Sequence, residues 1–144
     1  MPRIVISSQT PFPVERSVVE EDTYRVLSAP NIALEHRVST GELLHAMQEA
    51  ESFEPGDVVR SGQYLIAIIY DLEAELLSSE SIVRLALTRV LEICAEEDVR
   101  SIAMDSFGHR APQISNSWFL DLVKKLSVHH ATLEKIWIRL DRDQ

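Results

Sequence analysis

An uninterrupted apolar run is the feature that most constrains how this chain can fold. Residues 63–71 contain Tyr64, Leu65, Ile66, Ala67, Ile68, Ile69 and Tyr70 in succession, with no polar residue between them. A strand with one face in water alternates apolar and polar residues, whereas a strand covered on both faces does not. The run therefore predicts a central strand with helices on each side of its sheet.

Strand and helix patterns alternate along most of the chain. The periodicities predict strands at residues 3–7, 23–28, 58–60, 63–71, 101–104 and 133–140, and helices at residues 40–51, 78–97 and 115–129. Residues 14–22 leave a choice between a short helix and an ordered loop. Alternating elements are typical of βαβ units with right-handed crossovers. We expect one α/β domain over residues 1–144, a three-layer α/β/α sandwich with a mixed, mostly parallel central sheet. Residues 66–69 and 102–104 are expected to lie side by side as parallel strands in the middle.

Composition indicates which partners and locations to expect. The net charge is −9, from 14 basic and 23 acidic residues, and such a field repels phosphate backbones. We therefore expect no nucleic-acid partner. Cys94 is the only cysteine, so no internal disulfide can form, and a cytoplasmic location fits best. No segment approaches the ~20 apolar residues of a membrane helix, so we expect no membrane partner.

From residue 56 onward, the element lengths and apolar positions resemble the macro-domain family. Residues 56–68 are similar to the family's turn into a central strand, residues 84–94 to its long helix, and residues 99–104 to its next buried strand. The run Ser106-Phe107-Gly108-His109 lies where the family has a phosphate-holding Ser-Thr-Gly loop. Residues 118–126 and 133–140 resemble the terminal helix and strand. This resemblance implies a macro-domain-like fold.

The upstream half resembles the family less closely. Residues 26–31 are similar to the family's strand that ends in an asparagine, here Asn31, and Ser39-Thr40-Gly41 lies where a glycine-rich loop would precede a helix. The sequence differs from the family pattern in two segments. Ser8-Gln9 replaces a Gly-Asp pair whose aspartate addresses adenine, and Gly41 alone remains of the glycines that let a backbone approach a diphosphate.

The resemblance and the strand-end rule together predict the site. Ligands of α/β sheets collect at the carboxyl ends of the strands. The alternatives are purely structural roles for these residues. Asn31 is then a turn residue, and residues 106–110 form a compact connection in which Gly108 supplies an unusual backbone angle. The predicted ligand-binding residues are Asn31, Ser39, Thr40, Gly41, Ser106, Phe107, Gly108, His109 and Arg110, and Asn31 is also the candidate catalytic residue.

Other reactive residues are given structural interpretations. The five histidines have no metal-ligand spacing with cysteine or carboxylate, so no metal is expected. The sequence also has no P-loop and no dinucleotide-binding fingerprint, and no cofactor is expected. Cys94 lies within an apolar helical stripe and is interpreted as a core residue. The acidic runs at residues 20–22 and 96–98 are interpreted as solvated surface.

Three functional hypotheses follow from the resemblance. The first is a divergent macro-like module that binds a nucleotide-type, ADP-ribose-like ligand or another small anion. The second is a domain without a pocket that acts through protein contacts, as a homodimer or an accessory subunit. The third is a hydrolase of ADP-ribosyl groups, which ranks last because the loops that would clamp the substrate differ.

Overall fold

The computed structural model of the protein describes residues 2–23, 54–71, 78–107, 111 and 114–139. The predicted strand at 23–28 beyond its first residue, and the predicted helix at 40–51, lie outside these residues. Within them, the elements in chain order are β1 (Arg3–Ser7), β2 (Arg16–Asp22), β3 (Val58–Ser61), β4 (Tyr64–Tyr70), α1 (Glu80–Glu96), β5 (Ser101–Asp105), α2 (Asn116–Ser127) and β6 (Lys135–Arg139).

The described strands form one mixed sheet in the order β1-β6-β5-β2-β4-β3. Every neighbouring pair is parallel except β3 with β4, which form an antiparallel hairpin. Helix α1 connects β4 to β5, and α2 connects β5 to β6, as βαβ units require. The predicted α/β class with a mostly parallel mixed sheet is confirmed.

The expected adjacency of the two most apolar strands is wrong. Strands β4 and β5 are parallel and internal, but β2 lies between them. Val18 of β2 is in register with Leu65 of β4 on one side and with Met104 of β5 on the other. The crossover through α1 therefore passes over one intervening strand.

The prediction for residues 14–22 is also wrong, because β2 is neither a helix nor a loop. Its residues pair with both neighbours, so the sheet satisfies backbone donors and acceptors on both edges of the strand. Val18 is completely buried between β4 and β5. Whether a segment forms a strand depends on such packing more than on its composition. The acidic residues 20–22 made this strand hard to recognise in the sequence.

Both faces of the middle of the sheet are buried. On one face, Val18, Leu65 and Met104 belong to a single apolar cluster with residues of α1 and α2, including Val90 and Phe119. On the opposite face, Ile68 and Ala103 are also completely buried, and Trp137 is 9% exposed. Burial on both sides is what the apolar run of β4 predicts.

The two helices begin and end close to their predicted bounds. Ser79 caps α1, its hydroxyl accepting from the amide of Ile82 at 3.3 Å, and Ser115 caps α2, accepting from Trp118 at 3.2 Å. Such caps satisfy amide donors that the first helical turn leaves without partners. None of the helices in the described ranges is long and apolar enough to cross a membrane.

Gly56 fixes the turn that leads into the β3–β4 hairpin. Its amide donates to the carbonyl of Ile68 at 2.6 Å, and its φ of +92° lies where a side chain is strained. A Cβ at this position would lie 2.5 Å from Cδ2 of Leu85 on α1. Gly62, in the hairpin turn, has φ +58° and open space around it.

The two glycines predict different costs for the same substitution. Gly56→Ala should lower the free energy of unfolding by about 2 kcal/mol or more, because backbone strain is added to a clash with Leu85. Gly62→Ala should cost only about 1 kcal/mol, since it adds a left-handed alanine without a clash. Chemical denaturation measures both values. Equal losses would contradict the contact assigned to Leu85.

Candidate functional site

The carboxyl ends of the parallel strands bring several polar residues to one edge of the sheet. The five parallel strands end at Ser7 (β1), Arg139 (β6), Asp105 (β5), Asp22 (β2) and Tyr70 (β4). Both described helices also begin at this edge, since each follows a strand that ends there. Their amino termini contribute partial positive charge, which favours anions. We call this region the carboxyl edge.

The end of β2 supplies buried carboxylates to the carboxyl edge. Glu21 is completely buried and Asp22 is 2% exposed. Glu20, half-buried, accepts a hydrogen bond from the phenol of Tyr70 at 3.1 Å. The interpretation of residues 20–22 as solvated surface is therefore wrong. Strand pairing carries these side chains into the protein, and burial of a carboxylate is costly unless it is hydrogen-bonded or paired.

The residues that follow β5 have two different roles. The hydroxyl of Ser106 donates to the side-chain oxygen of Asn116 at 2.7 Å, which links the strand end to the first turn of α2. Phe107 is 1% exposed, and its ring lies 5.2 Å from that of Phe119. Phe107 thus anchors the connection in the core, while Ser106 remains at the carboxyl edge.

Arg139 occupies the carboxyl edge beside Asp105. The two residues are in register on β6 and β5, and Nε of Arg139 lies 3.1 Å from Oδ1 of Asp105. The guanidinium carbon lies 5.6 Å from the ring centre of Trp137, and the indole of Trp137 donates to the carbonyl of Ser7 at 3.0 Å. Sequence reasoning missed Arg139, because its position depends on strand register.

Comparison with known proteins identifies the architecture through structure and not through sequence. No protein-family model matches the sequence, and no curated protein matches it significantly. The macrodomain of Thermus aquaticus DarG matches with a TM-score of 0.67 and 15% identity, covering 98% of this chain and 99% of that chain. The macrodomain of Mycobacterium tuberculosis DarG matches with a TM-score of 0.69 and 10% identity, covering 98% and 100%. A Trypanosoma brucei macrodomain in complex with ADP-ribose matches with a TM-score of 0.57 and 16% identity, covering 97% and 64%.

The chain has a macro-domain-like fold. The likeness extends over nearly its whole length, further than the residues from 56 onward that carried the resemblance in the sequence. At these low identities the similarity concerns the fold, and side chains at the carboxyl edge must be judged by their own contacts.

Most residues predicted to bind a ligand in this macro-like domain lie outside the described ranges. The structure describes Ser106 and Phe107, which lie next to each other at the end of β5. The remaining predicted residues stay predictions: Asn31, Ser39, Thr40, Gly41, Gly108, His109 and Arg110. The described strand between β4 and β5 ends at Asp22, and the predicted strand that precedes Asn31 lies outside the described residues beyond Thr23.

Cys94 is a core residue, as its pattern predicts. Its side chain is completely buried in the apolar cluster. Burial, followed by the nearby charge of Glu97, raises the pKa of the Cys94 thiol to about 12. The reactive thiolate is therefore nearly absent at neutral pH.

The thiol of Cys94 should consequently resist modification in the folded protein. At pH 8 we expect negligible reaction with Ellman's reagent over minutes, followed by release of about one equivalent of chromophore when guanidinium chloride unfolds the chain. Rapid stoichiometric reaction of the native protein would show that the thiol is accessible.

His130 has a structural role rather than a metal-binding one. Its Nδ1 accepts from the amides of Leu133 at 3.0 Å and Thr132 at 3.3 Å, so the proton resides on Nε2, which donates to the carbonyl of Leu91 at 2.8 Å. These bonds fasten the turn after α2 to α1. Among the described residues, no group of three or more His, Cys, Asp and Glu side chains is placed to hold a metal ion.

The neighbouring histidines offer a matched pair of substitutions. His130→Ala should lower the free energy of unfolding by about 2 kcal/mol, because it leaves backbone groups of the turn without partners. His129→Ala, at an exposed position, should change it by less than about 0.5 kcal/mol. Thermal or urea unfolding measures both. Equal effects would contradict the role assigned to His130.

Proposed function

We propose that this chain is a macro-like module that binds a nucleotide-type ligand at the carboxyl edge. The observation that carries the proposal is the likeness of nearly the whole chain to macrodomains. One of those similar structures is a Trypanosoma brucei macrodomain in complex with ADP-ribose, which makes ADP-ribose the reference ligand for this chain. The location agrees with the general rule that ligands of open α/β sheets collect beyond the carboxyl ends of the strands.

The connection between β5 and α2 supports this proposal. Ser106 lies between the end of β5 and the first turn of α2, where the helix dipole favours the negative charge of a phosphate. A hydroxyl donates one hydrogen bond and accepts others, so Ser106 can keep its bond to Asn116 and still accept from a ligand hydroxyl. Phe107 holds this connection against Phe119, which gives the hydroxyl a fixed position.

Charge supports a small ligand rather than a long polyanion. The chain carries a net charge of −9, and such a charge disfavours a nucleic-acid backbone, whose affinity depends on many phosphate contacts. A small ligand needs few such contacts. In this proposal, Asn31, Ser39, Thr40, Gly41, Gly108, His109 and Arg110 complete the site.

Calorimetric titration with ADP-ribose tests the proposal. We expect saturable binding to the unaltered chain and binding about 5- to 10-fold weaker for Ser106→Ala, because one hydrogen bond contributes roughly that factor. Ser61→Ala is the matched control, since Ser61 is exposed in the hairpin at the opposite edge of the sheet. It should bind like the unaltered chain.

Two results would count against the proposed function. Absence of saturable heat and of any thermal shift at millimolar ADP-ribose would exclude this ligand. Equal weakening by the Ser106 and Ser61 substitutions would place binding away from the carboxyl edge. Circular dichroism and the unfolding midpoint establish that both variants remain folded.

A further inference from the structure

Arg139 is the only cation among the residues that end the parallel strands of the described sheet. The other strand ends are neutral or acidic: Ser7, Asp22, Tyr70 and Asp105. Arg139 is therefore the described strand end at which a side chain can attract a phosphate, in a chain that is otherwise strongly acidic. It adds to the partial positive charge of the helix amino termini at the same edge.

The guanidinium of Arg139 is held in place before any ligand arrives. Its flat group lies over Trp137, and Trp137 is itself fixed by its hydrogen bond to the carbonyl of Ser7. Asp105 holds the Nε side at 3.1 Å without an aligned hydrogen bond, since this buried Nε has no hydrogen-bond partner. Little side-chain entropy remains to be lost on binding, which increases the affinity that each new hydrogen bond can give.

The two terminal nitrogen atoms of this guanidinium are still available. Across the described ranges, Asp105 and Trp137 are the only side chains that pair with Arg139, and neither engages Nη1 or Nη2. The side chain is 32% exposed, so a solute can reach it. Two parallel N–H groups in a rigid fork match two oxygens of a phosphate.

Two other arginines of the chain use terminal guanidinium nitrogens to pair with carboxylates. Arg60 bonds Glu96 through one nitrogen and Glu97 through another, at 2.7 and 3.0 Å, and Arg89 pairs with Asp57. Arg60, Arg89, Asp57 and Glu96 line an open groove of about 360 Å³ between β3 and α1. Their carboxylate partners already take the place that an anion would need.

We infer that Arg139 binds a phosphate group of the ligand through Nη1 and Nη2, with Trp137 and Asp105 as positioning residues. The inference rests on the proposed function and adds to it the residue that holds the anion. Asp105 lowers the local positive potential, so affinity comes from the paired hydrogen bonds more than from net charge. The ligand recognised in this way carries an accessible phosphate or diphosphate.

Titration of the full chain with ADP-ribose, inorganic pyrophosphate and adenosine tests the inference. Arg139→Gln should weaken binding of both phosphate-bearing probes about 10-fold or more, because it removes a charged, paired contact. Arg139→Lys should recover only part of this loss, since an ammonium lacks the fork. Arg60→Gln is the matched control and should leave all affinities unchanged, and any adenosine binding should be the same in every variant.

A spectroscopic measurement covers the case in which Arg139→Gln fails to fold. In the unaltered chain labelled with nitrogen-15, addition of pyrophosphate should shift the Arg139 side-chain signal and leave that of Arg60 in place.

An unshifted Arg139 signal, or an Arg139→Gln variant that binds ADP-ribose as well as the unaltered chain, overturns the inference and leaves the proposed function standing. Failure of both ADP-ribose and pyrophosphate to bind overturns both. Arg139-dependent binding of pyrophosphate without any binding of ADP-ribose supports the inference and refutes the nucleotide-type ligand.

Discussion

Strand β2 is hydrogen-bonded to β4 on one side and to β5 on the other, and the remaining architecture depends on this double pairing. It places Val18 between Leu65 and Met104. These three residues belong to the apolar cluster against which both helices pack. The double pairing also sets the distance between the β4–α1 and β5–α2 connections, because each begins one strand away from β2. The shape of the carboxyl edge is thus a consequence of the pairing of one short, partly acidic strand.

The elements that sequence alone predicts are those with local signals. The apolar run of β4 and the apolar stripe of α1 are visible within short windows, and the structure places both elements close to their predicted bounds. Strand β2 has no such signal, since Glu20, Glu21 and Asp22 are typical of a solvated segment. Their burial arises from pairing with strands more than forty residues away, so composition could not show it.

The candidate site divides in the same way. Ser106 could be predicted because the residue after a buried parallel strand lies at the carboxyl edge whatever the neighbouring strands are. Arg139 could not be predicted, because its place in the candidate site depends on the register that pairs it with Asp105. It also depends on Trp137, which lies two residues earlier on the same face of the strand. Pairwise register is a property of the folded sheet. In the sequence, nothing distinguishes an arginine at the end of β6 from an arginine at the end of any other strand.

The pairing of β1 with β6 has a consequence for how the chain folds. In the described sheet β1 contacts only β6, and their paired residues Arg3 and Lys135 are separated by most of the sequence. During synthesis β1 therefore emerges before the other described strands, and it cannot pair until β6, the last of them, has been made. Closing so long a loop is entropically costly, and topologies with distant pairings fold slowly. This border of the sheet should be the last to form and the most exposed to mispairing with other nascent chains.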